Sequence, residues 1–294
     1  MNAGPRLYVH SYAACGTGTE LLPPHRIVAG GAVGARRARL PGIAVEMTHR
    51  LLGTRAPHPR LHVMIGTSLG DATETEQFVR NLVVAEEATP KPRAFSQSVH
   101  CAIAGQIAIE FGARGEAQTI THGEVSFGLT VLAAQALKRR SPDATMIVGA
   151  LDEGGALFTR IGYPDLVAAM PENGALLLCA GPNEAIAALE FFAGGQNLDG
   201  TVTGAHLRAA CAEAILWVPP FGVPSTAPPG SIVLAANGPH SLAAAATTTA
   251  LAIAIVAGEV PAACLGLATR PALLAVLAAS RFGDWNAVLV RNRP

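Results

Sequence analysis

The chain is 294 residues long, half of it hydrophobic and only 14% charged, with 21 basic residues against 21 acidic ones. That is enough apolar material for one large domain or two joined halves, and the charge balance gives no electrostatic case for nucleic acid or an anionic membrane surface. A chain this apolar and this neutral is expected to cover part of its surface with a partner.

Five cysteines (Cys15, Cys101, Cys179, Cys211 and Cys264) are scattered, odd in number and without CxxC spacing. They argue against both a disulfide framework and a zinc site, and no cofactor is implied. The first 25 residues lack an apolar core behind a basic start, so no signal peptide is read and a cytoplasmic protein is expected.

Residues 7–14 (LYVHSYAA) read as a first strand, followed by Gly16-Thr-Gly-Thr19. Without a lysine or a suitable following helix, that run is a turn rather than a phosphate-binding loop. Residues 36–52 place Leu40, Ile43, Ala44, Met47 and Leu51 at helical spacing. A strand over 61–66 follows, then a helix over 74–86, with Pro90 and Pro92 ending that unit.

The stretch 95–137 carries the function. A helix is predicted over 99–111, a tight turn at 112–115 and a short strand over 118–121. An abrupt His122-Gly123-Glu124 corner then enters a helix over 125–137. α/β enzymes often place a nucleophile on such a strand-to-helix corner, because a helix N-terminus favours negative charge. Here the residue on the corner is Glu124.

Beyond it, residues 144–151 form a continuous apolar run closing on Asp152-Glu153, the pattern of a strand buried on both faces. A turn at 171–174 leads into strands over 175–180 and 186–192, so strand and helix alternate throughout the first half. From about residue 194 the pattern restarts: a helix over 202–213, strands over 215–218 and 231–236, and an apolar segment over 241–258. That segment is Ala- and Thr-rich, 18 residues long and without basic flanks, and is read as a helix buried in a core rather than a membrane span, which needs about 20 strongly apolar residues. Two strands close the chain, over 272–279 and 287–291, with Phe282-Gly-Asp-Trp-Asn286 between them. The second α/β half suggests a duplicated architecture, although no sequence repeat is visible.

These residues resemble the β-ketoacyl synthases of the thiolase superfamily, especially the branch found in polyene and aryl-polyene gene clusters. Phe95-Ser-Gln-Ser-Val-His100 with Ala102-Ile-Ala-Gly-Gln106 is similar to that branch's FSxSVHNAxAGQ run. Val148-Gly-Ala-Leu-Asp-Glu153 is similar to the family's VGGxDE, and Arg37-Ala-Arg-Leu40 to its early helix. In the second half, Pro239-His240 before an Ala-rich helix resembles GHxxxAAG, and Ser280-Arg-Phe-Gly-Asp-Trp-Asn-Ala287 resembles FGFGGxNA. The resemblance implies a thiolase-like α/β fold: two related halves, 1–183 and 184–294, in a layered αβαβα arrangement with the second half shortened.

An active ketosynthase of this family uses a Cys nucleophile and two His residues. Laid on this chain, the family's TACxS corresponds to His122-Gly123-Glu124-Val125-Ser126, so Glu124 stands at the Cys position. Phe221 is nearest to the first His, Ala235 replaces the Lys before the second, and only His240 survives. A carboxylate cannot hold the acyl chain as a thioester, since an acyl anhydride is far more labile. The resemblance therefore implies a chain length factor, the Cys-less subunit that pairs with an active ketosynthase. In such a heterodimer the interface shapes the tunnel for the carrier-protein-bound polyketide, with residues 99–111 and 118–121 near it. The alternative is a stand-alone decarboxylase or thioester hydrolase acting on malonyl or acyl carrier protein through Glu124 and His240.

Three roles are open to Glu124: a relic hydrogen-bonded to backbone amides at the helix start, a tunnel-lining group, or an aid to malonyl decarboxylation. His240 is read first as a buried packing histidine, and His100 as structural. A His122–Glu124 acid–base pair is disfavoured because neighbours at a sharp corner diverge. Trp217 and Trp285 are read as core residues at strand ends.

Overall fold

The computed structural model describes residues 5–16, 18–29, 38–83, 92–153, 172–196, 207, 212–220, 226–233, 243–280 and 282–292. The predicted helix over 202–213 falls almost wholly outside them, as do Phe221, Ala235, His240 and Cys211.

Among the described residues the first half contributes strands β1 (Leu7–Cys15), β2 (His62–Gly66), β3 (Ala117–Ile120), β4 (Met146–Asp152) and β5 (Asn173–Ala180). The second contributes β6 (Ala187–Gln196), β7 (Ala214–Val218), β8 (Ser231–Val233), β9 (Leu273–Ala279) and β10 (Asp284–Asn292). The helices are α1 (Arg39–Leu52), α2 (Ala72–Val83), α3 (Pro92–Ser98), α4 (Ala102–Glu110), α5 (Ser126–Arg140) and α6 (Ala244–Ala257).

The strands hydrogen-bond in the order β3-β2-β4-β5-β1-β6-β10-β9-β7-β8. Taken from either edge inwards, that order is the same. β2 runs parallel to β3 and β4, and β5 runs antiparallel to β4 and β1. In the same way β7 runs parallel to β8 and β9, and β10 runs antiparallel to β9 and β6. The two five-strand units are joined by β1 and β6, which pair antiparallel at Leu7–Leu189, Tyr8–Ala188 and Val9–Ala187. A duplication that the residues conceal is thus plain in the topology.

Three apolar clusters give the layering its physical basis. One packs α1 and α4 on the outer face of the first unit, through Ile43, Met47, Ile103 and Ile107. The largest joins α5 and α6 to strands of both units, and the third covers the outer face of β7, β9 and β10 around Trp217. Helices outside, sheet, helices between, sheet, apolar cover: this is the thiolase-like arrangement. α6 shows why its sequence looked like a membrane span, for every residue from Ala244 to Val256 is buried, as a helix apolar all round must be. No helix among the described residues is long and apolar enough to cross a membrane.

Polar contacts fix the central layer. Just past α6, Glu259 accepts a hydrogen bond from the Tyr12 hydroxyl (2.6 Å) and from Arg26 Nη2 (2.6 Å), while the Arg26 guanidinium lies 4.6 Å from the centre of the Tyr12 ring. Burial acts to raise the Glu259 carboxyl, but the bonds from Arg26 and Tyr12 outweigh it and hold it below the usual carboxylate range. Burial first, and Glu259 second, push the Tyr12 phenol upward.

Two expectations about local structure need correction. Pro92 does not end a helical unit; it opens α3, because proline's missing N–H and fixed φ suit a first helical turn. Residues 284–286 are not part of a loop but already belong to β10, where Asp284, Trp285 and Asn286 pair with Gln196, Gly195 and Gly194. The four described cysteines are free.

Candidate functional site

The corner lies at the C-terminal end of β3, an edge strand. Thr67, just past β2, donates its N–H to the Ile120 carbonyl (3.0 Å) and so carries the parallel pairing one step beyond the strand. Gly123 then turns the chain with φ +54°, in the left-handed region where a side chain is disfavoured. The Ser126 hydroxyl closes the turn. It accepts the His122 N–H at 2.8 Å and faces the carbonyls of Gly123 (2.6 Å) and Thr67 (3.1 Å). Glu124 sits between these fixed points, buried, next to the start of α5, where the helix dipole favours a carboxylate.

The second unit reaches across to hold the same corner. Asn286 on β10 donates its Nδ2–H to the Val125 carbonyl at 2.8 Å. One turn into α5, a Cβ on Gly128 would lie 2.2 Å from the Asn286 side chain, so glycine is required for the approach. His122 Nε2 lies 3.3 Å from Asp284 Oδ2, so the imidazole faces β10, and the His122 partner is Asp284. Neither Asn286 nor Asp284 had an assigned role in the sequence, although both stand in the run that resembles the family's closing motif. The signal was a buried amide, Asn286, at the head of the apolar run 287–290.

The loop after β2 is held equally firmly. Asp152, at the end of β4, accepts from Thr67 Oγ1 (2.8 Å), Ser68 N (2.7 Å), Leu69 N (2.8 Å) and Gly70 N (3.3 Å). Asp71 accepts from Glu74 N (3.1 Å) at the start of α2 and from Leu40 N (3.4 Å) on α1, and Glu153 accepts from Thr73 N (3.1 Å). Arg39 pairs with Glu172. Burial pushes the Asp152 carboxyl up to about 6 despite its donors. Burial, then the Glu153 charge, pushes Asp71 up to about 7, and burial raises Glu153 also. These carboxylates brace the loop that receives Ser126; among the described residues they form no metal-binding cluster.

Alongside lies a helical surface with little cover. α2 buries only Ala72 and α3 buries no residue. Val83, Phe95 and Ile109 are exposed at 70%, 55% and 77%. A groove of about 430 Å³ opens between the start of α1 and the α3–α4 pair.

A layered fold with a strand-to-helix corner braced from both units defines the thiolase-like class. Residues 35–182, about half of the chain, match the family profile described as the β-ketoacyl synthase N-terminal domain. The chain belongs to the β-ketoacyl synthase family. No curated protein matches it. Among solved structures it is similar to the ishigamide ketosynthase/chain length factor, at 20% identity and TM-score 0.67, over 94% of this chain and 85% of that one. It is also similar to AntDE:AntF, a type II polyketide synthase acyl carrier protein in complex with its ketosynthase bound to the hexaketide. There the identity is 12% and the TM-score 0.74, over 98% of this chain and 99% of that one. A third is the ketosynthase ApeO in complex with its chain length factor ApeC from Xenorhabdus doucetiae, at 16% identity and TM-score 0.62, over 88% and 82%. At these identities the likeness is one of fold.

Proposed function

We propose that this chain is a chain length factor: a subunit without condensing activity of its own that pairs with an active β-ketoacyl synthase and shapes the tunnel for the carrier-protein-bound chain. The observation that carries this reading is Glu124. The corner is built to present a residue at a helix start, and the residue there is a buried carboxylate. A carboxylate in that place cannot form the thioester through which condensation runs.

Two further observations support it. Structures similar in fold include a ketosynthase/chain length factor and the ApeO–ApeC complex. Among the described residues, the bare α2–α3 pair, the exposed Ile109 and the edge of β3 leave apolar and hydrogen-bonding surface for a partner on the face where residues 99–111 and 118–121 lie. Co-expression with a ketosynthase carrying an intact Cys tests the reading: the two chains copurify and elongate together. Glu124→Gln in this chain leaves elongation in place.

A further inference from the structure

A pocket of about 350 Å³ lies at the end of the sheet away from the corner, where α5 stops and β2 begins. His58 and Arg60 from the loop before β2, His62 at its start, and Ser141 and Asp143 from the turn between α5 and β4 line it. Side chains alternate along a strand, so His62 shares the face of Met64, which belongs to the central layer with Phe127 and Leu137 of α5.

Both imidazoles are held in one tautomer. His62 Nδ1 accepts the Glu116 N–H at 2.9 Å, and His58 Nδ1 accepts the Arg60 N–H at 3.1 Å. A backbone N–H only donates, so each Nδ1 keeps its lone pair and each ring carries its proton on Nε2. Charging either ring would cost that bond. Burial lowers the His62 imidazole from its usual range, opposed by the Glu116 charge. Gly115 gives the His62 ring its seat. It has no positive φ to explain a glycine, but a Cβ there would lie 2.5 Å from the Leu61 carbonyl and 2.8 Å from the ring.

The lining is therefore rich in donors: two Nε2–H groups, the Ser141 hydroxyl and the Arg60 guanidinium. Among the described residues Arg60 is in no ion pair. With the proton on Nε2, neither ring offers a metal that lone pair. Such donors suit an anion, and Asp143 narrows which one. At neutral pH a carboxylate or a sulfate has no hydrogen to give Asp143, whereas a phosphate group keeps an O–H in part, its second pKa being about 6. We propose that the pocket binds phosphate, free or as the head of a small phosphomonoester, with Arg60 and the two imidazoles donating and Asp143 accepting the phosphate O–H. Its volume is within the range of small-molecule pockets, which begin at about 300 Å³. The site stands apart from the corner and does not depend on the chain length factor reading.

The test is calorimetric titration of the full chain at neutral pH, in a buffer free of phosphate and sulfate, with inorganic phosphate, glycerol 3-phosphate and sulfate. Phosphate is expected to bind saturably at one site, and sulfate at least about tenfold more weakly. Arg60→Ala is expected to cut phosphate affinity about tenfold or more, while Arg55→Ala, at an exposed arginine outside the pocket, leaves it unchanged. Asp143→Asn is expected to bring sulfate to the affinity of phosphate, a gain that loosening of the loop would not produce. Tighter binding of glycerol 3-phosphate than of phosphate assigns the ester as the ligand; equal or weaker binding assigns the free ion. Absence of saturable phosphate binding overturns the proposal, as do equal affinities of the wild-type chain for phosphate and sulfate, or a loss in Arg55→Ala as large as in Arg60→Ala.

Discussion

Asn286 on the last strand donates a hydrogen bond to the carbonyl of Val125, 161 residues earlier, at 2.8 Å. Through that bond the second unit holds the corner that carries Glu124.

Asn286→Ala removes the shorter of the two hydrogen bonds to the Val125 carbonyl, leaving the Leu129 N–H at 3.3 Å, and is expected to cost about 0.5–1.5 kcal/mol. Gly128→Ala drives a methyl group into Asn286 and costs about 1–3 kcal/mol. The double variant is less destabilised than the sum, because removing the amide makes room for the methyl. Urea unfolding of the four proteins measures the coupling; strict additivity would show that the two residues do not meet.

Acidification is expected to stabilise this fold over the range where many carboxylates do the opposite. Asp152 and Asp71 are raised to about 6 and about 7 by burial, and Glu153 is raised too. Between their unfolded values near 4 and these native ones, the folded protein binds more protons than the unfolded chain. Their contribution to stability therefore rises as pH falls from about 7 towards about 4, and is flat above about 7. Glu259, held low, acts the other way: its stabilisation is present above its unfolded value and is lost as pH falls through its native one. Melting temperature should rise from pH 7.5 to pH 5.5, and Asp152→Asn should shrink that rise.

The Tyr12–Glu259–Arg26 contact joins the first strand to the end of the central helix. Tyr12→Phe removes a hydrogen bond to a charged acceptor and is expected to cost about 1.5–3 kcal/mol. Calorimetry checks it; an unchanged melting temperature would show the contact to be ornamental.

Ile109→Glu and Phe95→Glu replace side chains exposed at 77% and 55%, so the isolated chain should lose no more than about 0.5 kcal/mol. Copurification with a ketosynthase should fail. Retained pairing would move the interface off this face.

Much of the fold was legible because its signals are local. The unbroken apolar run at β4 and the charge-free helix α6 announced full burial, and the glycine corner before α5 stood out by contrast with the helix behind it. Pro92 misled because proline both ends and begins helices, and the two cases differ only in the residues C-terminal to it. The start of β10 was missed because Asp284 and Asn286 are poor strand formers, placed there by the contacts they make with His122 and Val125. The repeated strand order was invisible, since topology survives when the residues of two units have diverged. Glu124 was found from its place in a motif. Asn286, which holds it from the other unit, required the structure.

The proposed non-catalytic role of Glu124 is tested most directly by release of carbon dioxide from malonyl carrier protein by the purified chain, with and without a partner ketosynthase. No release is expected from this chain alone, and equal release and elongation from the complex with wild-type protein or Glu124→Gln. Release by the chain alone, abolished by Glu124→Gln, would contradict it.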